Sequence, residues 1–429
     1  MGPRGGGGGG AARRHRAGPR LPARLAQPAA GAELPAGPDR RRGRSRPPRL
    51  WRGLPAAAAA PLREHARPGP AAAHRLPLGR FPGASGRLFP GSGDRGARPA
   101  RLRTSGLCEP GGRRCGHGPL PRVVRWLAAR ARQPDAAVAA QIRADGIDIL
   151  VDLSGHTQGT RLAVLDHRPA PVQATWIGYA NTTGSRAVDW IIADAVSVPP
   201  GEEGLYTERV MRLPGCYLCI TPPGFALPRG ALPMLARGHA TFGCFNAPMK
   251  LNEDVLGAWA RILAAVPRAR LLLKSRALED AGTAGAIRAR FAAAGGDLAR
   301  LDIEGHSPRP AYLARYADVD MMLDPFPFPG GTTTAEAILA GVPTLTLRGR
   351  GGIMSRNGET LLTAAGLADW IAQDVEDYVV QAVSRARDTQ TLAPVRARLV
   401  PGALADGPGM ARRLAAAWRA MWRDWCARG

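Results

Sequence analysis

Residues 324–347 read DPFPFPGGTTTAEAILAGVPTLTL. A proline-rich turn passes through two glycines and three threonines into an apolar helix pattern. That pattern breaks at Gly341 and Pro343 and becomes a strand pattern. Glycine frees the backbone where the chain must turn tightly, and proline stops a helix by removing a donor and crowding the preceding turn. A loop that opens a helix and then returns to a strand is the repeating unit of a parallel sheet covered on both faces.

The same alternation extends outward. PDAAVAAQIRADGIDILVDLSGHT reads as a helix, a stop at Gly146 and a strand; VDWIIADAVSVP and ARLLLKS read as further strands. NEDVLGAWARILAAVP places Val255, Leu256, Trp259, Ile262, Leu263 and Val266 at helical spacing. The expected class is α/β, with two Rossmann-like units divided near residues 222–236. At the end of the chain, Leu414, Trp418, Met421 and Trp425 share one helix face, as in a closing helix that packs back onto the first unit.

Charge divides the chain differently. Of 429 residues with a formal net charge of +25, residues 1–120 hold 24 Arg, no Lys and 5 acidic residues, and so carry nineteen of those charges. This stretch is rich in Gly, Pro, Ala and Arg and sustains no apolar period, so it is expected to be disordered. It has almost no interleaved aromatics, and nucleic-acid binding is not expected of it. No run of about 18 apolar residues predicts a membrane span. The six cysteines do not make a disulfide scaffold, which points to a reducing, cytoplasmic setting. Cys216 and Cys219 form one CxxC without a second pair at zinc spacing, so they read as core and no metal site is expected.

In open α/β sheets, ligands bind where loops leave the carboxyl ends of strands. Gly330, Gly331, Thr332, Thr333 and Thr334 stand at such a loop. They read either as an anion site at a helix start or as simple N-caps. The Gly-Lys-Ser/Thr element of a P-loop is missing. Glu336, read as lying in the first helical turn, either complements the helix dipole or accepts from a ribose hydroxyl. Lys250 and Lys274 are the only lysines, and Lys250, on the loop after TFGCFN, suits a diphosphate or is a solvated surface lysine. Arg309 and Arg315 could meet phosphate from the next helix start. His156 sits on a loop after a strand, and Asp152, Asp194 and Asp324 end strands without an evident partner.

Together these stretches resemble the catalytic region of the protein O-linked N-acetylglucosamine transferases and the related Spindly-type enzymes. The resemblance rests on DGIDILVDLSGHTQGTRLAVLDHRPAPVQATWIGYANTTGS, YTERVMRLPGCYLCITPP, TFGCFNAPMKLNEDVLGAWARILAAVPRARLLLKS, LDPFPFPGGTTTAEAILAGVPTLTL and SRNGETLLTAAGL, over about residues 134–429. It implies a two-lobed glycosyltransferase of the GT-B type, with residues 131–230 the remnant of a truncated first (acceptor) lobe, 236–404 the nucleotide-sugar lobe and 405–429 a closing helix. It implies inverting transfer of N-acetylglucosamine from UDP to protein Ser/Thr, without metal or cofactor. The alternatives are GDP-fucose as donor, or an inactive nucleotide-binding remnant.

By the same resemblance, Lys250 after the Phe-Asn pair that includes Asn246 contacts the phosphates. Gly331, Thr332 and Thr333 meet the diphosphate, Glu336 the ribose and Arg309 the nucleotide. Lys250 and His156 are the catalytic candidates. Departures are Gly331 where animal members carry His, Ala247 for Gln, Ile338 for a large aromatic, and Glu336 for Asp.

Family members carry about a hundred further first-lobe residues and tetratricopeptide repeats upstream; no 34-residue period is visible here. Shifted by one base, a back-translation of FPGASGRLFP (Phe81–Pro90) admits FRAHPVGYFL, like the family's first-lobe histidine motif. Residues 1–130 are therefore expected to be either a frameshifted translation or a disordered basic extension, with activity impaired by the abnormal N-terminus.

Overall fold

The computed structural model describes residues 133–157 and 159–428, together with the backbone of two short parallel strands, Arg75–Leu76 and Arg103–Thr104. Apart from that pair, the expectations for residues 1–130 lie outside the described residues.

A first sheet holds β1 (Ile149–Asp152), β2 (Val172–Thr175), β3 (Trp190–Asp194) and β4 (Arg209–Leu213), all parallel and in that spatial order. A second sheet holds β5 (Thr241–Cys244), β6 (Arg270–Lys274), β7 (Leu301–Glu304), β8 (Met321–Leu323), β9 (Thr344–Leu347) and β10 (Ile371–Ala372). Its spatial order is β7-β6-β5-β8-β9-β10, again all parallel. The order reverses between β5 and β8, which is the topological switch point of a doubly wound sheet.

The strands read as unbroken apolar runs because both faces are covered. Leu271, Leu272 and Leu273 in β6 are all buried. In β5, Gly243 is required by its neighbour: a Cβ there would stand 2.9 Å from the Met322 sulfur and from Val319. The helix Glu253–Ala265 starts at Asn252, whose side chain accepts from the Val255 N–H, with Glu253 and Asp254 in the first turn. The apolar residues spaced at helical period from Val255 onward are all buried against this sheet.

The C-terminal helix Gly407–Arg428 packs on the first sheet. Met410, Leu414, Trp418 and Met421 join its core, Trp425 lies partly buried beside them, and Arg209 reaches Asp424 through two hydrogen bonds of 2.9 and 2.6 Å. A second link comes from the helix Ile353–Ala364, which follows β9. Ile353 belongs to the first sheet's core, its N–H donates to Tyr206 at 3.0 Å, Tyr217 donates to Asn357 at 2.7 Å, and Thr360 donates to the buried Asp194.

Cys216 and Cys219 lie buried and free in this seam, as core residues. Burial pushes the Cys216 thiol up to about 12, which suppresses thiolate chemistry. Among the described residues, no helix is long and apolar enough to cross a membrane.

Leu414 is fully enclosed, so Leu414→Ala should cost about 2–5 kcal/mol through lost burial and a residual cavity. Urea unfolding followed by tryptophan emission measures this. A loss below about 1 kcal/mol would remove the terminal helix from the first core.

Candidate active site

Two loops meet at the switch point. The loop leaving β5 carries Asn246 and then the single 3-10 turn Pro248–Lys250. The loop leaving β8 begins at Asp324 and ends at Gly331, where the helix Thr332–Leu339 starts. One oxygen ties them together. Asn246 Oδ1 accepts from Thr333 Oγ1 at 3.1 Å and from Lys250 Nζ at 3.2 Å. Lys250 Nζ also donates to the Pro329 carbonyl at 2.8 Å and lies 3.8 Å from the centre of the Phe328 ring.

Asp324 holds the second loop from within. Its buried carboxylate accepts from Thr334 Oγ1 at 2.8 and 3.1 Å and from the Gly330 N–H at 3.2 Å. Gly330 is forced: a Cβ there would run into the Thr333 and Thr334 hydroxyls and the Asp324 carboxylate. Burial pushes the Asp324 carboxyl up to about 6; the Thr334 bond and the nearby Lys250 charge oppose it only in part. Burial likewise draws Lys250 below the usual ammonium range, with Asp324 opposing.

This geometry removes the reading of Thr333 and Thr334 as N-caps. The N-cap is Gly331 and the helix start has no side-chain cap. Thr333 and Thr334 do not cap, because their hydroxyls are committed to Asn246 and Asp324. The leading N–H groups of Thr332 and Thr333 are therefore those of an open, glycine-led helix start, suited to an anion.

Glu336 needs a correction. It lies beyond the first turn of Thr332–Leu339, too far inward to complement the dipole. It is 0% exposed and meets Arg309 at 2.6 Å, while Tyr316 OH stands 3.4 Å from its other oxygen. Tyr316 OH also reaches the Thr333 carbonyl at 3.1 Å, which couples the Arg309–Glu336 pair to the helix start. Burial raises the Glu336 carboxyl, and the Arg309 guanidinium opposes that.

Arg315 is committed to Glu304 and Asp318, and Lys274 to Glu304 at 3.1 Å, so both are structural. His156 stands on the first sheet, on the loop after β1. Its Nε2 lies 2.8 Å from the Thr183 carbonyl, and its ring meets Tyr179 edge-on at 5.3 Å. A carbonyl only accepts, so Nε2 carries the hydrogen. Thr183 is fixed in turn by the buried Glu208, which accepts from its N–H at 2.7 Å.

The structure thus gathers Asn246, Lys250, Gly331, Thr332 and Thr333, and attaches Arg309 and Glu336 to them through Tyr316. It shows no bond from His156 to any of these. Three participants escape the sequence reading as partners: Thr334, Phe328 and Tyr316. Asp324 was legible as a strand end, but its partner lies ten residues on, across a loop whose path only the fold gives.

The profile of glycosyl transferase family 41 matches residues 129–220 and 232–404. The chain belongs to glycosyl transferase family 41. It is 38% identical over 303 residues to the Arabidopsis thaliana protein named probable UDP-N-acetylglucosamine–peptide N-acetylglucosaminyltransferase SPINDLY, covering 67% of this chain and 32% of that protein. The Arabidopsis protein of the same enzyme name designated SEC is 29% identical over 318 residues, covering 70% of this chain and 32% of that one.

Among solved structures, a Thermobaculum terrenum O-GlcNAc transferase mutant superposes with a TM-score of 0.70 at 34% identity, covering 85% of this chain and 70% of that one. The family 41 fold here is thus the GT-B type of α/β architecture. The chain spans about a third of the length of the curated relatives it matches.

Because the Asp324 carboxyl titrates higher in the folded chain than in the unfolded one, the folded chain binds the extra proton. This group's stabilising share is complete below the ordinary carboxyl range, near pH 4, and is lost as pH rises through about 6. Asp324→Asn keeps an acceptor without a titrating proton. Relative to wild type it should gain on the order of 2–3 kcal/mol between pH 4 and pH 7, read from urea midpoints across that range. A pH-independent difference would show that Asp324 is ionised throughout.

Proposed function

We propose that this chain is an inverting glycosyltransferase that moves N-acetylglucosamine from UDP to a Ser/Thr hydroxyl of a protein. One observation carries the reading. At the switch point a lysine ammonium and an uncapped helix start share a single asparagine oxygen, so two positive features face one volume. A diphosphate is the ligand that uses both. The names of the SPINDLY and SEC relatives and of the Thermobaculum enzyme support the same donor and acceptor.

The chemistry follows from where charge appears. The acceptor oxygen attacks the anomeric carbon while the bond from that carbon to the diphosphate oxygen breaks, and the bonding pair leaves with UDP. Lys250 and the N–H groups at Thr332 and Thr333 stabilise that growing charge, which lowers the barrier because they bind the departing diphosphate better than the intact donor. This supply of positive charge is why a metal is not required in the proposal. Arg309 and Glu336 take the nucleoside side, with Glu336 exchanging a protein contact for a ribose hydroxyl. His156 accepts the acceptor proton at Nδ1. A cytoplasmic site of action belongs to the same proposal.

Incubation with labelled UDP-N-acetylglucosamine or GDP-fucose and a cell-extract acceptor tests it. Transfer from the UDP sugar is expected, and Lys250→Met should lower turnover by about 10²–10³. Turnover with GDP-fucose alone would reassign the donor. UDP binding without turnover would make the chain a nucleotide-binding remnant.

His156→Asn should lower kcat by about 10²–10⁴ while UDP affinity stays within twofold, as calorimetry would show. An unchanged kcat would remove His156 from the mechanism.

A further inference from the structure

The Lys250 ammonium has three N–H bonds, and three neighbours account for its directions: Asn246 Oδ1, the Pro329 carbonyl and the Phe328 ring. None is ionised. The nearby Asp324 carboxylate spends its oxygens on Thr334 and Gly330, and among the described residues no salt bridge to Lys250 is formed. The direct contacts of the ammonium are thus all neutral, with Asp324 acting on it only at a distance, a weak arrangement for a charge drawn out of water.

The three neighbours differ in accessibility. Asn246 is 5% exposed and Pro329 is buried, whereas Phe328 is 36% exposed. Next to Lys250 in the chain, Met249 is 91% exposed. Of the three neighbours, the ring is the one most open to an anion arriving from solvent. The ring is also the contact most readily given up, because an ammonium gains more from an anionic oxygen than from a ring quadrupole.

We propose that Phe328 is a displaceable cover on Lys250: its ring occupies the solvent-side face of the ammonium, and a nucleoside diphosphate binds by exchanging that contact for a phosphate oxygen. The proposal rests on the reading of this site as a sugar-nucleotide site. Phe328 is then a positioning residue that sets donor affinity through the lysine. The ring keeps the ammonium aimed at the mouth of the site and taxes every anion that takes its place.

The test is a double-mutant cycle in UDP binding, measured by calorimetry on the full chain. Phe328→Leu keeps an apolar side chain and removes the π face. Since a cation–π contact at a partly exposed site corresponds to roughly a two- to fivefold change in an equilibrium constant, Phe328→Leu should bind UDP two- to fivefold more tightly than wild type. In a Lys250→Gln background the same substitution should change affinity by less than about 1.5-fold, because no cation remains to be covered. Unchanged or weaker binding by Phe328→Leu overturns the cover. So does an equal gain in both backgrounds, since the gain would not pass through Lys250. Failure of the wild-type chain to bind UDP at all defeats the reading of the site instead, and is told apart by the first titration. Circular dichroism of Phe328→Leu confirms that the half-exposed position leaves the fold intact.

Discussion

A single acceptor, Asn246 Oδ1, fixes the geometry on which the rest of the site depends. It accepts from Lys250 on its own loop and from Thr333 at the far helix start. The two loops come from neighbouring strands, β5 and β8, but they are separated in sequence by more than seventy residues and by the whole β6–β7 excursion. Nothing local holds them in register. The strand pairing brings their ends together, and the shared oxygen turns proximity into a defined distance between a cation and a row of N–H groups. Asparagine suits this role because its carbonyl offers two lone pairs without adding a negative charge that would compete with an incoming anion.

The carboxylates around the site obey the same logic. Asp324 and Glu336 are both buried, yet each is committed: Asp324 to Thr334 and Gly330, Glu336 to Arg309 and Tyr316. Committing them costs desolvation, visible in the raised carboxyls. Among the described residues, Lys250 is left without an ion-pair partner, because Asp324 is bonded to Thr334 and Gly330 and Glu336 to Arg309. The arrangement uses buried acids to order its loops while keeping them off its own cation.

Much of this was legible in the sequence, and what escaped shares a cause. The parallel α/β class, the buried helix from Val255 and the face formed by Leu414, Trp418 and Met421 follow from periodicity, which is a local property. Lys250 stood out by rarity, and the glycine–threonine run by position after a strand. The alternative readings of Thr333 and Thr334 as caps and of Glu336 as a dipole partner were local inferences too, and the structure displaces these alternatives with long-range bonds. The threonines bond Asn246 and Asp324, and the helix begins early enough to put Glu336 past its first turn. Phe328 read as part of a proline-rich turn, because only the fold sets its ring on a lysine seventy-eight positions earlier.

The seam between the two sheets is built differently from either core. Each core is apolar, whereas the helix Ile353–Ala364, beyond Ile353 itself, crosses to the first sheet through polar bonds: Thr360 to Asp194, Asn357 to Tyr217 and Arg356 to Glu202, the last at 2.5 and 2.6 Å. Apolar packing is tolerant of small slips, since dispersion and burial change gradually with position. Hydrogen bonds to buried groups are not, because a misplaced partner leaves a desolvated polar atom unpaired. A seam of this kind therefore specifies one relative placement of its partners more sharply than it stabilises it. His156 stands on the loop after β1 and Lys250 on the loop after β5, so their relative placement depends on how sharply the seam is fixed. His156 and Lys250 share no contact of their own, so their separation is set by the bonds of that helix and by the terminal helix anchored through Arg209 and Asp424.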